Sequence, residues 1–319
     1  MRSTLLLLSL LLAQACQPAP SSGRTGAPPQ DAAASSDAGT DGQSAATTLR
    51  VATFNVHLFF DPTCDSGSCG PGDFEQAPSQ TAFDSRAEAI ANAIRSLDAD
   101  VISLQELETQ VSMEALSSRL KDLYPTTVFV ETGAPGSMDV AVFGKGKLLE
   151  ARKHRDMPLK RPDGSSTTFS REFLEVHQQI GGRRVIAFAA HFRSKNNDDP
   201  GRRLAEAQAA HDIVVASTQE FPDAVVVLAG DLNDTPGSPP ISALESGNVL
   251  LRAASDLPLA EQYTYQWNGH GEAIDHVYLA TSAQGAYVPS SAKVVHDPSG
   301  WGLAASDHAA VTADFALSP

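Results

Sequence analysis

The run Val225-Val226-Val227-Leu228-Ala229, followed at once by Gly230-Asp231-Leu232-Asn233-Asp234, constrains this chain more than any other stretch. An unbroken apolar run of this length fits a strand buried on both faces. It then breaks into alternating acid and amide, so Asp231 and Asn233 point the same way and present a carboxylate and a carboxamide to one pocket. The Thr235-Pro236-Gly237-Ser238-Pro239-Pro240 segment that follows is turn chemistry and stops the strand. Asp and Asn at a strand end are also ordinary turn formers, so this stretch alone leaves a structural and a functional reading open. The rest of the chain bears on the choice, because polar residues recur at the ends of its apolar runs.

The N-terminus is read apart from the folded region. Met1-Arg2, then LLLLSLLLAQAC, is an export signal too short to span a bilayer. Ala13-Gln14-Ala15 fits ordinary signal cleavage, whereas Cys16 resembles the acylated cysteine of bacterial lipoproteins, although Leu12 lies four residues before it instead of three. The expected organisation is an export signal over 1–16 with a lipoprotein cysteine, then an Ala/Ser/Gly/Pro tether over 17–48 that cannot bury enough surface to order itself, then one folded domain over 49–319. This predicts an exported protein, either an outer-membrane or cell-surface lipoprotein or secreted, expected to be a monomer, with no protein partner inferred. Its membrane contact would be a lipid on Cys16.

A net charge of −15 argues against a surface that coats nucleic acid generally. The charge is uneven, however: Lys145 to Arg203 carries +7 and the remainder −22. Such a segment suits a polyanionic substrate, or is simply a solvated basic face.

Along the domain, Leu49–Val56 reads as a strand carrying an amide near its end. Cys64 and Cys69 flank a Gly/Ser/Asp loop, and in an oxidising compartment they are expected to pair as a disulfide, a metal site built from the pair being the weaker reading. A helix is expected over Phe83–Leu97 with Asp84 as its cap, a second buried strand over Val101–Glu106, and a helix over 111–123. Strands follow at Thr126–Val130 and Met138–Phe143, with a hairpin of Phe169–Ile180 and Arg183–Ala190 across Gly181-Gly182. Arg202–Thr218 reads as a helix, and further strands are expected at Tyr263–Tyr265, Ala273–Leu279, Ala292–His296 and Ala309–Phe315.

Open α/β sheets place ligands beyond strand ends, so Asn55, Glu106, His191, Asp231, Asn233, Asp275 and Asp307-His308 are candidates to converge on one cleft. Seven stretches in order carry a resemblance: Thr53-Phe54-Asn55-Val56, Leu104-Gln105-Glu106, Phe169-Ser170-Arg171, Ala190-His191-Phe192, Gly230-Asp231-Leu232-Asn233, Ile274-Asp275-His276 and Ser306-Asp307-His308. From about 49 to 317 the chain resembles the endonuclease/exonuclease/phosphatase (DNase I-like) superfamily. The resemblance implies an α/β fold, a four-layer αββα sandwich of two mixed β-sheets flanked by helices, and cleavage of phosphate esters with a divalent cation.

It further implies a role for each position. Asn55, Glu106 and Asp307 would hold the metal, Mg²⁺ with Mn²⁺ or Ca²⁺ as alternatives, since a hard cation takes oxygen ligands. Asn233 and His308 would donate to the phosphoryl oxygens, and Asp231 would orient or deprotonate the attacking water. Asp275 would keep the His308 imidazole charged, His191 would protonate the leaving group, and Arg171 would meet a non-bridging oxygen. Asp139 is a candidate to orient His191.

Two positions depart from the pattern. His57 stands where many members have an acid or amide, which leaves a second metal position there in doubt. His276 replaces a common aromatic, either packing at the strand end or adding a donor. His191-Phe192-Arg193-Ser194-Lys195, and Tyr263-Thr264-Tyr265 with Gly271, resemble secreted bacterial nucleases. The expected function is therefore an exported, metal-dependent phosphodiesterase acting on DNA or RNA. The alternatives are a phosphatase or phospholipase C-like hydrolase of the same fold, taking an inositol phosphate or sphingomyelin, or an inactive binding module. Retention of Glu106, Asp231, Asp307 and His308 counts against the last.

Overall fold

The computed structural model describes residues 48–281 and 284–317. The expected export signal, Cys16 and residues 17–47 of the expected tether lie outside them, and Thr48 already belongs to the first strand. Two mixed sheets form the domain. One runs in the order Ala286–Tyr287, Ala310–Ala316, Thr48–Phe59, Val101–Leu107, Asp139–Gly144, Thr126–Val130, with Lys293–Val295 also on the Ala310–Ala316 strand. The other runs Leu250–Arg252, Asp275–Ala280, Val225–Asp231, Arg183–His191, Leu174–Ile180, Lys147–Lys153. Each sheet has one parallel pair at its centre, Thr48–Phe59 with Val101–Leu107 and Arg183–His191 with Val225–Asp231.

Three apolar layers explain the stacking. Val51, Val101, Val140 and Val142 of the first sheet pack against Val176, Val185, Val225, Val227 and Val277 of the second, so these strands are apolar on their facing sides. The outer face of the first sheet is covered by the helices Gln80–Leu97 and Gln110–Leu120 through Phe83, Ile90, Ile94 and Leu116. The outer face of the second packs Ile186, Phe188, Val226 and Leu228 against Ala207, Ala210 and Val214 of helix Pro200–Glu220. The result is the expected four-layer sandwich. No described helix is long and apolar enough to cross a membrane.

Some boundaries differ from the sequence reading. The first helix begins at Gln80 and its cap is Ser79, whose hydroxyl accepts from Ala82 N at 3.3 Å. Asp84 lies inside the helix and meets Arg119 instead. The side chain that caps a helix must precede the first turn, and Asp84 comes too late. Phe169–Phe173 is loop, its phenylalanines buried under the second sheet, so the hairpin's first strand starts at Leu174. The edge strand Lys147–Lys153 was not anticipated, because its mostly exposed, charged sequence lacks an apolar face. Cys64 and Cys69 form a disulfide.

Candidate active site

Strand register builds one side of the site. His191 lies beside Asp231 in the parallel pair, and Asp231 lies opposite Asp275 in the antiparallel pair, so three polar residues stand level on adjacent strands at one sheet end. Directly paired residues share a face. The close approach of these strands requires Gly230, since a Cβ there would sit 2.1 Å from the Ala190 carbonyl oxygen.

The other sheet supplies its residues through irregular backbone. Glu106 has φ +67° at a bulge where the register against Asp139–Gly144 slips between Gln105 and Leu107. His57 and Leu58 also have positive φ, at the slip that follows Asn55. Bulges re-aim side chains, and positive φ on non-glycine residues costs about 1 kcal/mol or more. The neighbouring bonds hold this conformation. Glu106 accepts from Leu58 N at 2.8 Å and from Asn55 Nδ2 at 3.0 Å.

Asn55 joins the two sheets. Its Nδ2 also donates to Asp231 Oδ2 at 3.1 Å, and its Oδ1 accepts from His57 N at 2.9 Å. With both ends of the amide engaged, Asn55 aligns two carboxylates and turns its oxygen toward backbone. His57 Nδ1 approaches the other two residues expected to hold a metal, at 2.8 Å from Asp307 Oδ1 and 3.9 Å from Glu106 Oε2. The Asp307 carboxylate raises the His57 pKa against the opposing effect of burial.

Asp231 is the centre of the group, with His191 Nε2 at 3.6 Å and His308 Nε2 at 4.0 Å from its Oδ2. Burial, then the nearby Asp275 and Glu106 charges, hold its carboxyl well above the ordinary carboxylate range, against the opposing pull of His308. The two imidazoles differ sharply. Burial disfavours charge on His308, but Asp275, whose Oδ2 lies 2.8 Å from Nδ1, together with Asp231 and Asp307 outweighs it and raises the pKa to about 10. His191 has no such partner: burial, Arg171 and His308 all push its pKa well below the usual value.

Asn233 has φ +54° and turns its N–H onto Asp231 Oδ1 at 2.9 Å, so the Asp-Leu-Asn turn is locked by its own acid. Its Nδ2 and Arg171 Nη1 both donate to the Phe192 carbonyl, each at 3.2 Å. Burial lowers the Arg171 pKa while Glu106 and Asp231 oppose that shift. Glu206 of helix Pro200–Glu220 accepts from the backbone N–H groups of Ser170 and Arg193 at 2.6 Å, fixing the two loops that carry these arginines.

All nine candidate residues therefore lie in one neighbourhood. Seven line a cleft of about 710 Å³, while Asn55 and Asp275 stand directly behind Asp231 and His308. His276 packs inside the sheet with Nε2 3.0 Å from the Asp234 carbonyl oxygen. Asp139 is not bonded to His191; its Oδ2 accepts from Thr132 and Ser137, and His191 Nδ1 has no hydrogen-bond partner. Sequence reasoning missed Ser306, whose hydroxyl donates to the Asn55 carbonyl and accepts from His308 N, tying the C-terminal His to the first strand. It also missed Phe74, Trp267 and Glu272 on the cleft wall, which sit in loops and short ribbons without a periodic signal.

The donor chemistry fits a divalent cation. Glu106 and Asp307 each bring a carboxylate oxygen within 3.9 Å of His57 Nδ1, and Glu106 also groups with Asp231 and His191, their ligand atoms within 4.8 Å of one another.

A family model described as Endonuclease/Exonuclease/phosphatase family matches residues 52–308. No curated protein matches this chain in sequence. Solved structures of similar fold include truncated TDP2 from Caenorhabditis elegans, 16% identical, covering 85% of this chain and 98% of that one at a TM-score of 0.61. The human nocturnin catalytic domain with bound sulfate is 17% identical, with coverage of 85% and 95% and a TM-score of 0.61. Beta toxin 275-280 from Staphylococcus aureus is 16% identical, with coverage of 83% and 99% and a TM-score of 0.56.

Proposed function

This chain belongs to the Endonuclease/Exonuclease/phosphatase family, and from that premise we propose that it is an exported, metal-dependent phosphodiesterase that cleaves nucleic acid. The observation that carries the reading is the convergence of two imidazoles on Asp231, His191 Nε2 at 3.6 Å and His308 Nε2 at 4.0 Å, with Asp275 bonded behind His308. Phosphodiester hydrolysis needs a group to align and deprotonate water, fixed donors for the phosphoryl oxygens, and a proton for the leaving oxygen.

Asp231 is the water-orienting group, because burial and its acidic neighbours raise its proton affinity and Asn55 and Asn233 fix its two oxygens. His308 is the charged donor, kept cationic by Asp275 behind it. A neutral His191 donates one N–H and carries no positive charge, so the proton-bearing role falls more naturally to His308 than to His191. Arg171 and Asn233, held on one carbonyl, aim further donors into the cleft. Glu106 and Asp307 would hold the cation, with Asn55 orienting Glu106. When bound, that cation supplies positive charge against the phosphoryl oxygens.

A plasmid-nicking assay in Mg²⁺ and in EDTA tests the reading, with nicking expected only in Mg²⁺. Absence of metal-dependent nicking overturns it, and release of inorganic phosphate or phosphocholine from a substrate panel would mark the phosphatase or phospholipase alternative. Mass spectrometry of the mature N-terminus tests export and acylation at Cys16.

A further inference from the structure

The basic segment is sorted by the fold into two populations. Arg152 pairs with Glu150 and Glu220 at 2.7 Å, Arg203 with Asp198 at 2.7 Å and Asp234 at 2.8 Å, and Arg161 with Asp199. These charges are cancelled locally. Arg155, Arg171, Arg193 and Arg202 are treated differently. They line one cavity of about 250 Å³, each partly buried, and it adjoins the catalytic cleft, sharing Phe74, Met138, Arg171 and Arg193 with it.

Among the described residues, Arg155, Arg171 and Arg193 have no carboxylate within ion-pair distance, and Arg202 meets Glu206 at 3.7 Å. They donate to carbonyl oxygens instead: Arg155 to Thr132, Arg171 to Phe192, Arg193 to Asn196 and Asn197, Arg202 to Thr168. A carbonyl fixes a guanidinium's direction without neutralising it. Each guanidinium has five N–H donors, so most of each fork is left for another acceptor. Asp139, buried on the same wall and held by Thr132 and Ser137, offsets part of this charge, but four partly desolvated cations outnumber it, an arrangement that an arriving anion relieves. A planar fork is suited to phosphate oxygens in particular.

We propose that this cavity binds a second phosphate of the substrate, next to the one being cleaved, so that the enzyme recognises a phosphodiester chain and not a single phosphate ester. The proposal rests on the phosphodiesterase reading of the adjoining cleft. A polynucleotide supplies such neighbouring phosphates at fixed spacing along one strand, whereas a mononucleotide or a single lipid headgroup presents its phosphate to the cleft alone.

Arg155 and Arg202 lie outside the catalytic group, so Arg155→Gln and Arg202→Gln test the cavity. Binding of a labelled oligonucleotide would be followed by fluorescence anisotropy in a Glu106→Gln background, across a salt series. Each change is expected to weaken oligonucleotide binding about tenfold or more, the scale of a lost charge-assisted hydrogen bond, and to lower the salt slope by about one. In the otherwise unmodified enzyme, hydrolysis of bis(para-nitrophenyl) phosphate, too small to reach both positions, should stay within about twofold of wild type. Unchanged oligonucleotide affinity and salt slope in both variants would overturn the inference, as would a tighter grip on anionic vesicles than on the oligonucleotide. If either variant melts early, the other carries the comparison. Failure of the unmodified enzyme to hydrolyse the small diester counts against the phosphodiesterase reading itself and is read separately from the binding series.

Discussion

His308 turns one ring nitrogen to Asp275 at 2.8 Å and the other toward Asp231 at 4.0 Å, so a single imidazole links a fully buried acid to the acid at the centre of the cleft. The pairing determines charge. A carboxylate behind the ring stabilises the imidazolium while leaving Nε2 free to face the substrate. If this is how the site works, His308→Ala lowers the rate of diester hydrolysis by at least ~10²-fold, with the far-UV circular dichroism of the wild type retained. Wild-type turnover in that variant would remove His308 from the mechanism.

The same pair predicts a pH signature in EDTA-treated protein. The folded pKa of about 10 exceeds the ordinary His value of 6.5, so the contribution of His308 to stability is fully present below the unfolded pKa and is lost as pH rises through about 10. Asp275→Asn removes the largest raising influence and should bring the His308 ring titration, followed by NMR, down toward neutrality. A titration that does not move would show that Asp275 is not what charges the ring.

Glu106 is expected to separate metal binding from folding. Glu106→Gln loses the negative charge and keeps one acceptor oxygen, for either Asn55 Nδ2 or Leu58 N, which in the wild type donate to separate carboxylate oxygens. Calorimetric titration with Mg²⁺ should show affinity reduced by about tenfold or more, and hydrolysis should fall with it, while the melting temperature in EDTA should change little, the lost acceptor being offset by removal of a like charge beside Asp231.

A second acidic group lies beside the disulfide loop. Burial, then Asp61, Glu75 and Asp65, raise Glu108 to about 8. Its Oε2 accepts from Asp61 N at 2.7 Å and its Oε1 is buried without a partner. For an acid whose folded pKa is raised, stability is greatest below the unfolded value and declines as pH climbs through the folded one. Glu108→Gln retains the Asp61 bond and avoids the charge, so it should stabilise the protein by about 1 kcal/mol at pH above 8 and have little effect near pH 5. Chemical denaturation at the two pH values checks this.

Helix capping offers a test of local structure. Ser79→Ala should cost about 1 kcal/mol, whereas Asp84→Ala, whose partner Arg119 is reached across exposed surface at 3.3 Å, should cost less than about half of that. Equal costs in denaturant unfolding would mean that Ser79 does not serve as the cap.

Much of the fold was legible because it depends on local chemistry. The unbroken apolar run Val225–Ala229 fits a strand covered on both faces, the spacing of Phe83, Ile90, Ile94 and Leu97 defines one helical face, and the acid and amide after Gly230 mark where the chain leaves the sheet. What sequence could not determine depends on register and backbone sign. That Asp231 stands level with both His191 and Asp275 follows from how three strands align. That Glu106 faces the cleft follows from a bulge at positive φ, which an L-residue adopts only under tertiary restraint. Asn55 reads as a metal ligand in one dimension; in three, its oxygen is taken by His57 N and its nitrogen by two acids. The basic segment, likewise, reads as one charged stretch, yet the fold pairs some arginines with acids and leaves others around a cavity. The residue types were thus fixed by the chain itself, whereas their partners were decided by packing, because hydrogen bonds and ion pairs depend on distances that only the assembled sheets define.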